Sequence, residues 1–125
     1  MEYEIIYGDV ISKANNYMVA QDRYGRNRII KNEIIRAYEQ DFIEQCTKYK
    51  NRLIDGRFRL YAEVYYSTDR YDLDNSLKTI LDCLQYVKAI TNDSYCVGIV
   101  ANKHIDRNNP RVAFAIEELE PKLFT

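Results

Sequence analysis

Residues 70–93 read RYDLDNSLKTILDCLQYVKAITND and place three aspartates and a lysine, Asp72, Asp74, Asp93 and Lys78, at spacings that could do chemistry. Carboxylates held together repel unless a cation lies between them. Hard oxygen donors with open positions suit Mg²⁺ or Mn²⁺. Such an ion can activate water and stabilise the charge that develops on a phosphate during hydrolysis. A lysine beside it could orient the attacking water or stabilise that charge. If 71–74 is extended, Asp72 and Asp74 project to the same side. Asp74 or Asn75 can then cap a following helix, and Lys78, four residues after Asp74, can lie next to it. The same residues also fit a simpler arrangement, a capped helix with a Lys78–Asp82 surface pair, because Asp-x-Asp alone is a common pattern.

The elements that must position these side chains are legible on either side. Leu77, Ile80, Leu81, Leu84 and Val87 recur at helical spacing, so a helix runs from the aspartates to near Ile90, with Lys78, Asp82 and Gln85 on another face. Before it, residues 57–66 (RFRLYAEVYY) alternate as a strand. The short connection 67–71 brings Arg70 beside the aspartates, where it could contact a phosphate or simply be a solvated arginine. After it, 95–103 and 111–117 read as strands joined through Asn109-Pro110 and predicted to pair antiparallel. Residues 2–7 form a first strand. Residues 17–20 and 28–30 flank a hairpin tip at Tyr24-Gly25, and 32–51 read as a long helix capped by Asn32 with Ile34, Ile35, Tyr38, Phe42, Ile43 and Cys46 inward. The predicted fold class is α/β (α+β): a small mixed sheet of four to five strands, two main helices and a basic hairpin, in a single domain over 1–125.

Composition narrows the classes. The chain has no apolar run of ~18 residues to span a membrane and no basic start of a signal peptide. Cys46, Cys83 and Cys96 lack CxxC spacing, which argues for reduced thiols and a cytoplasmic setting over a disulfide frame or a zinc site. The formal net charge of −1 is low for a nucleic-acid protein. Its distribution is uneven, however: residues 13–36 carry Lys13, Arg23, Arg26, Arg28, Lys31 and Arg36 against Asp22 and Glu33, and local charge decides a binding footprint. Arginines of the hairpin could hold phosphates, and Tyr24 could stack on an unpaired base; ordinary solvated charges are the plain alternative. Lys103 is a further possible DNA contact. His104, the one histidine, reads as a loop or strand-end residue.

The run Asp72-Leu73-Asp74-Asn75, then Lys78, Asp82 and Leu84, and later Asn92-Asp93, resembles the RusA family of Holliday junction resolvases in order and spacing. Residues 12–16 (SKANN) resemble that family's loop after its first strand, which brings Lys13 and Asn16 into view, and 22–38 resemble its Gly/Arg hairpin leading into a helix. The likeness covers 3–118, with the central motif its specific part. It implies a homodimeric, metal-dependent endodeoxyribonuclease that introduces paired symmetric nicks into four-way junctions during DNA recombination and repair, in a bacterial or phage-infected cell. Asp72, Asp74, Asp93 and Lys78 would be catalytic, the three aspartates holding Mg²⁺ or Mn²⁺. Lys13, Asn16, Arg23, Tyr24, Arg26, Arg28 and Arg70 would face DNA. Asn92 stands where many members carry aspartate, and its carbonyl oxygen could still coordinate without charge. A junction-binding module that does not cut, or a nuclease acting on flaps or forks, are the alternatives.

Overall fold

A computed structural model describes residues 1–12, 17–21, 23–31 and 33–120, with the side chains of 17–21 and 27–31 outside that description. In chain order the elements are β1 (Glu4–Tyr7), β2 (Tyr17–Gln21), β3 (Asn27–Lys31), α1 (Glu33–Gln45), β4 (Phe58–Tyr66), α2 (Leu73–Tyr86), β5 (Cys96–Ile105) and β6 (Arg111–Glu118). A single 3₁₀ turn, Asp93–Tyr95, leads into β5. Strands β1, β6, β4 and β5 form a four-stranded mixed sheet in that order, and β2 pairs with β3 as a separate antiparallel hairpin. The α+β class and the two main helices predicted from the sequence are present.

Strand β4 is interior because its period-two pattern is apolar on one side throughout. Phe58, Leu60, Ala62, Val64 and Tyr66 are all fully buried, while Arg59, Tyr61, Glu63 and Tyr65 take the other face. Helix α2 buries Ile80, Cys83 and Leu84 against the core, and α1 adds Ile35, Tyr38 and Phe42. Phe42 stacks on Phe114 of β6 at 5.8 Å between centroids. Ile34, predicted to point inward, is 53% exposed: it begins α1 one position off the buried stripe.

The predicted hairpin of 95–103 with 111–117 does not form. Strand β4 lies between them, parallel to β5 and antiparallel to β6. Strand β4 has backbone pairing partners on both edges, and the turn after β5 steps across its end, where Asp106 N–H donates to Tyr66 O at 2.8 Å. A parallel β4–β5 pair requires a crossover, and α2 is that crossover.

Helix α1 stops at Gln45, short of the predicted 51, because a buried carboxylate captures the next N–H groups. Glu4, 3% exposed, accepts from the backbone N–H of Thr47 (2.9 Å), Lys48 (3.0 Å) and Tyr49 (3.0 Å) and from the Cys46 thiol (3.1 Å). Gln45 meanwhile clamps the backbone of Tyr7 in β1 through both its amide oxygen and nitrogen. The predicted cap Asn32 lies outside the described residues.

Burial alone would raise the Glu4 pKa, but the bonds from Lys48, Thr47, Tyr49 and Cys46 together outweigh it and hold it below the ordinary 4.5. A depressed folded pKa contributes stability that is complete above the unfolded value and lost as pH falls through the folded one. Glu4→Gln is expected to cost about 1–3 kcal/mol at neutral pH. Urea unfolding at a series of pH values should show wild type and variant converging below 4.5, as the wild-type carboxyl takes up its proton.

Candidate active site

The chain leaves the buried end of β4 at Tyr66, crosses 67–71 and enters α2 with Asp72 at the N-cap. This corrects the predicted cap at Asp74 or Asn75 and the extended 71–74 pair. Asp72 is extended (φ −98°, ψ 128°), but Asp74 already lies in the first helical turn. The reason is Ser76, whose N–H and hydroxyl both reach the Asp72 carbonyl (3.3 and 3.1 Å), so the helical ladder opens there. Both carboxylates are exposed at the end of the helix where negative charge is favoured. The Asp72 side chain makes no bond to a first-turn N–H; its Oδ2 lies 3.5 Å from Asn75 Nδ2.

One face of α2 carries the rest. Lys78 Nζ lies 3.2 Å from Asp93 Oδ2 and 3.6 Å from Asp82 Oδ1. Asp93 is brought there by its own backbone, whose N–H donates to Gln85 Oε1 at 2.8 Å. The bond from Asp93, then the charges of Asp82 and Asp93, hold the Lys78 ammonium above the ordinary lysine range. Lys78 is therefore a cationic donor at neutral pH, not a base. Of the two partners that spacing suggested, Asp82 is its neighbour and Asp74 is not, and Asp93 is added.

The predicted set is thus brought together in two parts: Asp72 with Asp74 at the helix start, and Asp93 with Lys78 on its flank. Among the described residues, no three carboxylate, thiol or imidazole side chains converge into a group that could hold a metal ion. In kind the donors fit a hard divalent cation, being carboxylate oxygens with two of the three exposed. The Asn92 Oδ1 caps the 3₁₀ turn by accepting from Ser94 N–H at 2.9 Å.

Of the predicted DNA-facing residues, Arg23, Tyr24 and Arg26 are exposed at the hairpin tip, Tyr24 by 73% and with the Arg26 guanidinium 5.3 Å from its ring centroid. Gly25 turns that tip with φ +79°. Lys13 and Asn16 lie outside the described residues, as does the side chain of Arg28, whose backbone belongs to β3. Arg70 is exposed on the loop before Asp72. His104 lies within β5, 3.0 Å from Glu63 Oε1 and stacked on Tyr65, which leaves it no part in the carboxylate site.

Sequence reasoning missed the supports of the loop. Asp9 accepts from Ser67 N–H (2.8 Å) and from its hydroxyl, Lys103 reaches two loop carbonyls, and Tyr66 donates to Ser76 Oγ (2.5 Å) beneath the Asp72 carbonyl. None of these has a spacing signal, because each joins residues distant in the chain or on opposite ends of a loop. Burial first, then the charges of Asp72, Asp9 and Asp74, push the Tyr66 phenol above its ordinary pKa, so it stays a hydrogen-bond donor.

Comparison with protein families matched residues 8–117 to the model described as Endodeoxyribonuclease RusA. A search of curated proteins returned no match.

The Lys78 contacts set an expected ordering. Since carboxylates favour its charged form, the NMR titration midpoint of the Lys78 ammonium should fall in Asp93→Asn and also in Asp82→Asn. An unchanged midpoint in both would show that neither contact persists in solution.

Proposed function

The chain belongs to the RusA endodeoxyribonuclease family, and we propose that it acts within that family as a divalent-metal-dependent nuclease that resolves four-way DNA junctions by paired symmetric nicks. The observation that supports this best is the Asp72 carboxylate. It occupies a position where an aspartate ordinarily satisfies first-turn N–H groups, yet it makes no such bond and is exposed together with Asp74. A carboxylate withheld from capping is available to another partner.

Asp72, Asp74 and Asp93 would hold Mg²⁺, or Mn²⁺ in its place. When bound, the ion supplies Lewis acidity toward the scissile phosphate and a more acidic water. Lys78 contributes positive charge to the phosphate oxygens. A phosphate competing for that ammonium frees the Asp93 oxygen it now holds, coupling substrate arrival to the third carboxylate. Arg23, Arg26 and Arg70 serve the DNA backbone, with Lys13, Asn16 and Arg28 as further contacts, and Tyr24 offers a stacking face to bases at the branch point. Two symmetric nicks need two sites related by a two-fold axis, so the acting form is a homodimer. Three free cysteines, two of them buried, suit the reducing cytoplasm.

The test is cleavage of a labelled four-way junction in Mg²⁺ and then Mn²⁺, with linear duplex as control. Wild type is expected to nick the junction symmetrically and spare the duplex. Asp74→Asn should retain its fold and junction affinity and lose about 100-fold or more in cleavage rate. Junction binding with no nicks in either metal would instead identify a non-cutting module, and comparable cutting of flaps and forks would widen the substrate to branched DNA in general.

A further inference from the structure

We propose that Lys103 is a positioning residue for Asp72: from β5 it clamps the loop that carries this carboxylate, and Asp9 clamps the same loop at its start. The proposal deepens the reading of Asp72 as a metal ligand and rests on it for its catalytic consequence.

The geometry is specific to the peptide units on either side of Asp72. Lys103 Nζ donates to Tyr71 O at 2.7 Å and to Asp69 O at 3.1 Å, and lies 3.2 Å from Asp69 Oδ1. An ammonium has three N–H donors, and three acceptors are in place. The Asp69 carboxylate is 90% exposed, so the two carbonyls are the contacts that matter. The Tyr71 carbonyl shares its planar peptide with the Asp72 nitrogen, so fixing that oxygen fixes the plane entering Asp72. The plane leaving Asp72 is fixed by its own carbonyl, which accepts from Ser76 N–H and Ser76 Oγ. With both planes held, the Asp72 Cα–Cβ direction is set and only the side-chain torsions remain free. At the loop's start, Asp9 holds Ser67 by its N–H and its hydroxyl. Between the two clamps the Tyr71 ring stacks on Tyr66, centroids 5.2 Å apart and planes 9° from parallel. This also reassigns Lys103, which as a sequence reads as a possible DNA contact: its donors are directed at the loop.

The two clamps carry opposite charges, and this separates positioning from plain electrostatics. Removing a cation should tighten a nearby divalent ion, and removing an anion should loosen it; releasing the loop should weaken the ion in both cases. Lys103→Met and Asp9→Ala would each be measured for Mn²⁺ affinity by the EPR signal of free Mn²⁺ without DNA. Amide hydrogen exchange over 67–73 and junction affinity in Ca²⁺ would be measured alongside. Both variants are expected to weaken Mn²⁺ by about 10-fold, to speed exchange in that segment and to leave junction affinity within about twofold. Lys103→Arg, which keeps charge and donors, should recover most of the loss. If Asp9→Ala does not fold, Ser67→Ala removes one of the same bonds and should show the smaller effect in the same direction.

Opposite shifts in the two variants, or unchanged exchange and Mn²⁺ affinity, would overturn the proposal. So would a loss of junction affinity in Lys103→Met with Mn²⁺ binding intact, which would make Lys103 a DNA contact. If wild type itself binds no Mn²⁺ and cuts no junction, the metal-nuclease reading fails separately. The clamp then stands or falls on hydrogen exchange alone, faster exchange upholding it and unchanged exchange refuting it.

Discussion

The parallel pairing of β4 with β5 constrains everything around the candidate site. Two parallel neighbours cannot be joined by a tight turn, so the chain must travel back along the sheet before β5 can begin. Helix α2 makes that journey. Asp72 and Asp74 fall at its start because that is where β4 releases the chain, and Asp93 falls after its end because that is where β5 takes the chain up. The aspartates that are widely spaced in sequence are thereby strung along one helix, and Lys78 spans the distance from the helix face to Asp93. The buried hydroxyls of Tyr66 and Ser76 tie the end of the strand to the first turn of the helix, so the two elements meet at a fixed angle.

Much of this was legible in the sequence, and what was not has a physical explanation. The alternation of 57–66 and the apolar period of α2 identify their elements because each rule is local: every second or every third-to-fourth residue must face the core. Strand order is not local. The turn at Asn109-Pro110 is consistent with a hairpin, and it is the long-range pairing of β4 with both β5 and β6 that replaces it. The end of α1 is equally hidden, because the carboxylate that stops it belongs to Glu4, far away in the chain. At the site, residue types and spacing singled out Asp72, Asp74, Lys78 and Asp93 as candidates, and the structure brings them together in two parts. The Lys78–Asp82 pair follows from helical spacing, but the sequence could not indicate that Lys78 also reaches Asp93, or that the Asn92 oxygen caps its own turn.

The charge balance reads differently in three dimensions. A net charge of −1 describes the chain as nearly neutral, but many of its charges are committed to one another. On the sheet face away from the helices Arg59 meets Glu117 at 2.9 Å, and at the start of β6 Arg111 meets Asp106 at 2.9 Å. Arg111 also lies 3.8 Å over the ring of Tyr65, which stacks in turn on His104. Exposed pairs of this kind contribute little to stability, yet they remove both signs from the field that an incoming polyanion meets. The exposed arginines of the hairpin tip then weigh more than the total suggests.

The sheet order also has a consequence for how the chain is made. Among the described elements β1 is synthesised before all the others, and its neighbour in the sheet, β6, after all of them. Hydrogen bonding between them must wait until everything that separates them has been translated. Glu4 shortens that wait. Its partners at 46–49 emerge long before β6, so the carboxylate can moor the first strand against the end of α1 while its place in the sheet is still being translated. The residue that terminates a helix in the finished protein can thus hold, in the nascent one, a strand whose neighbour does not yet exist.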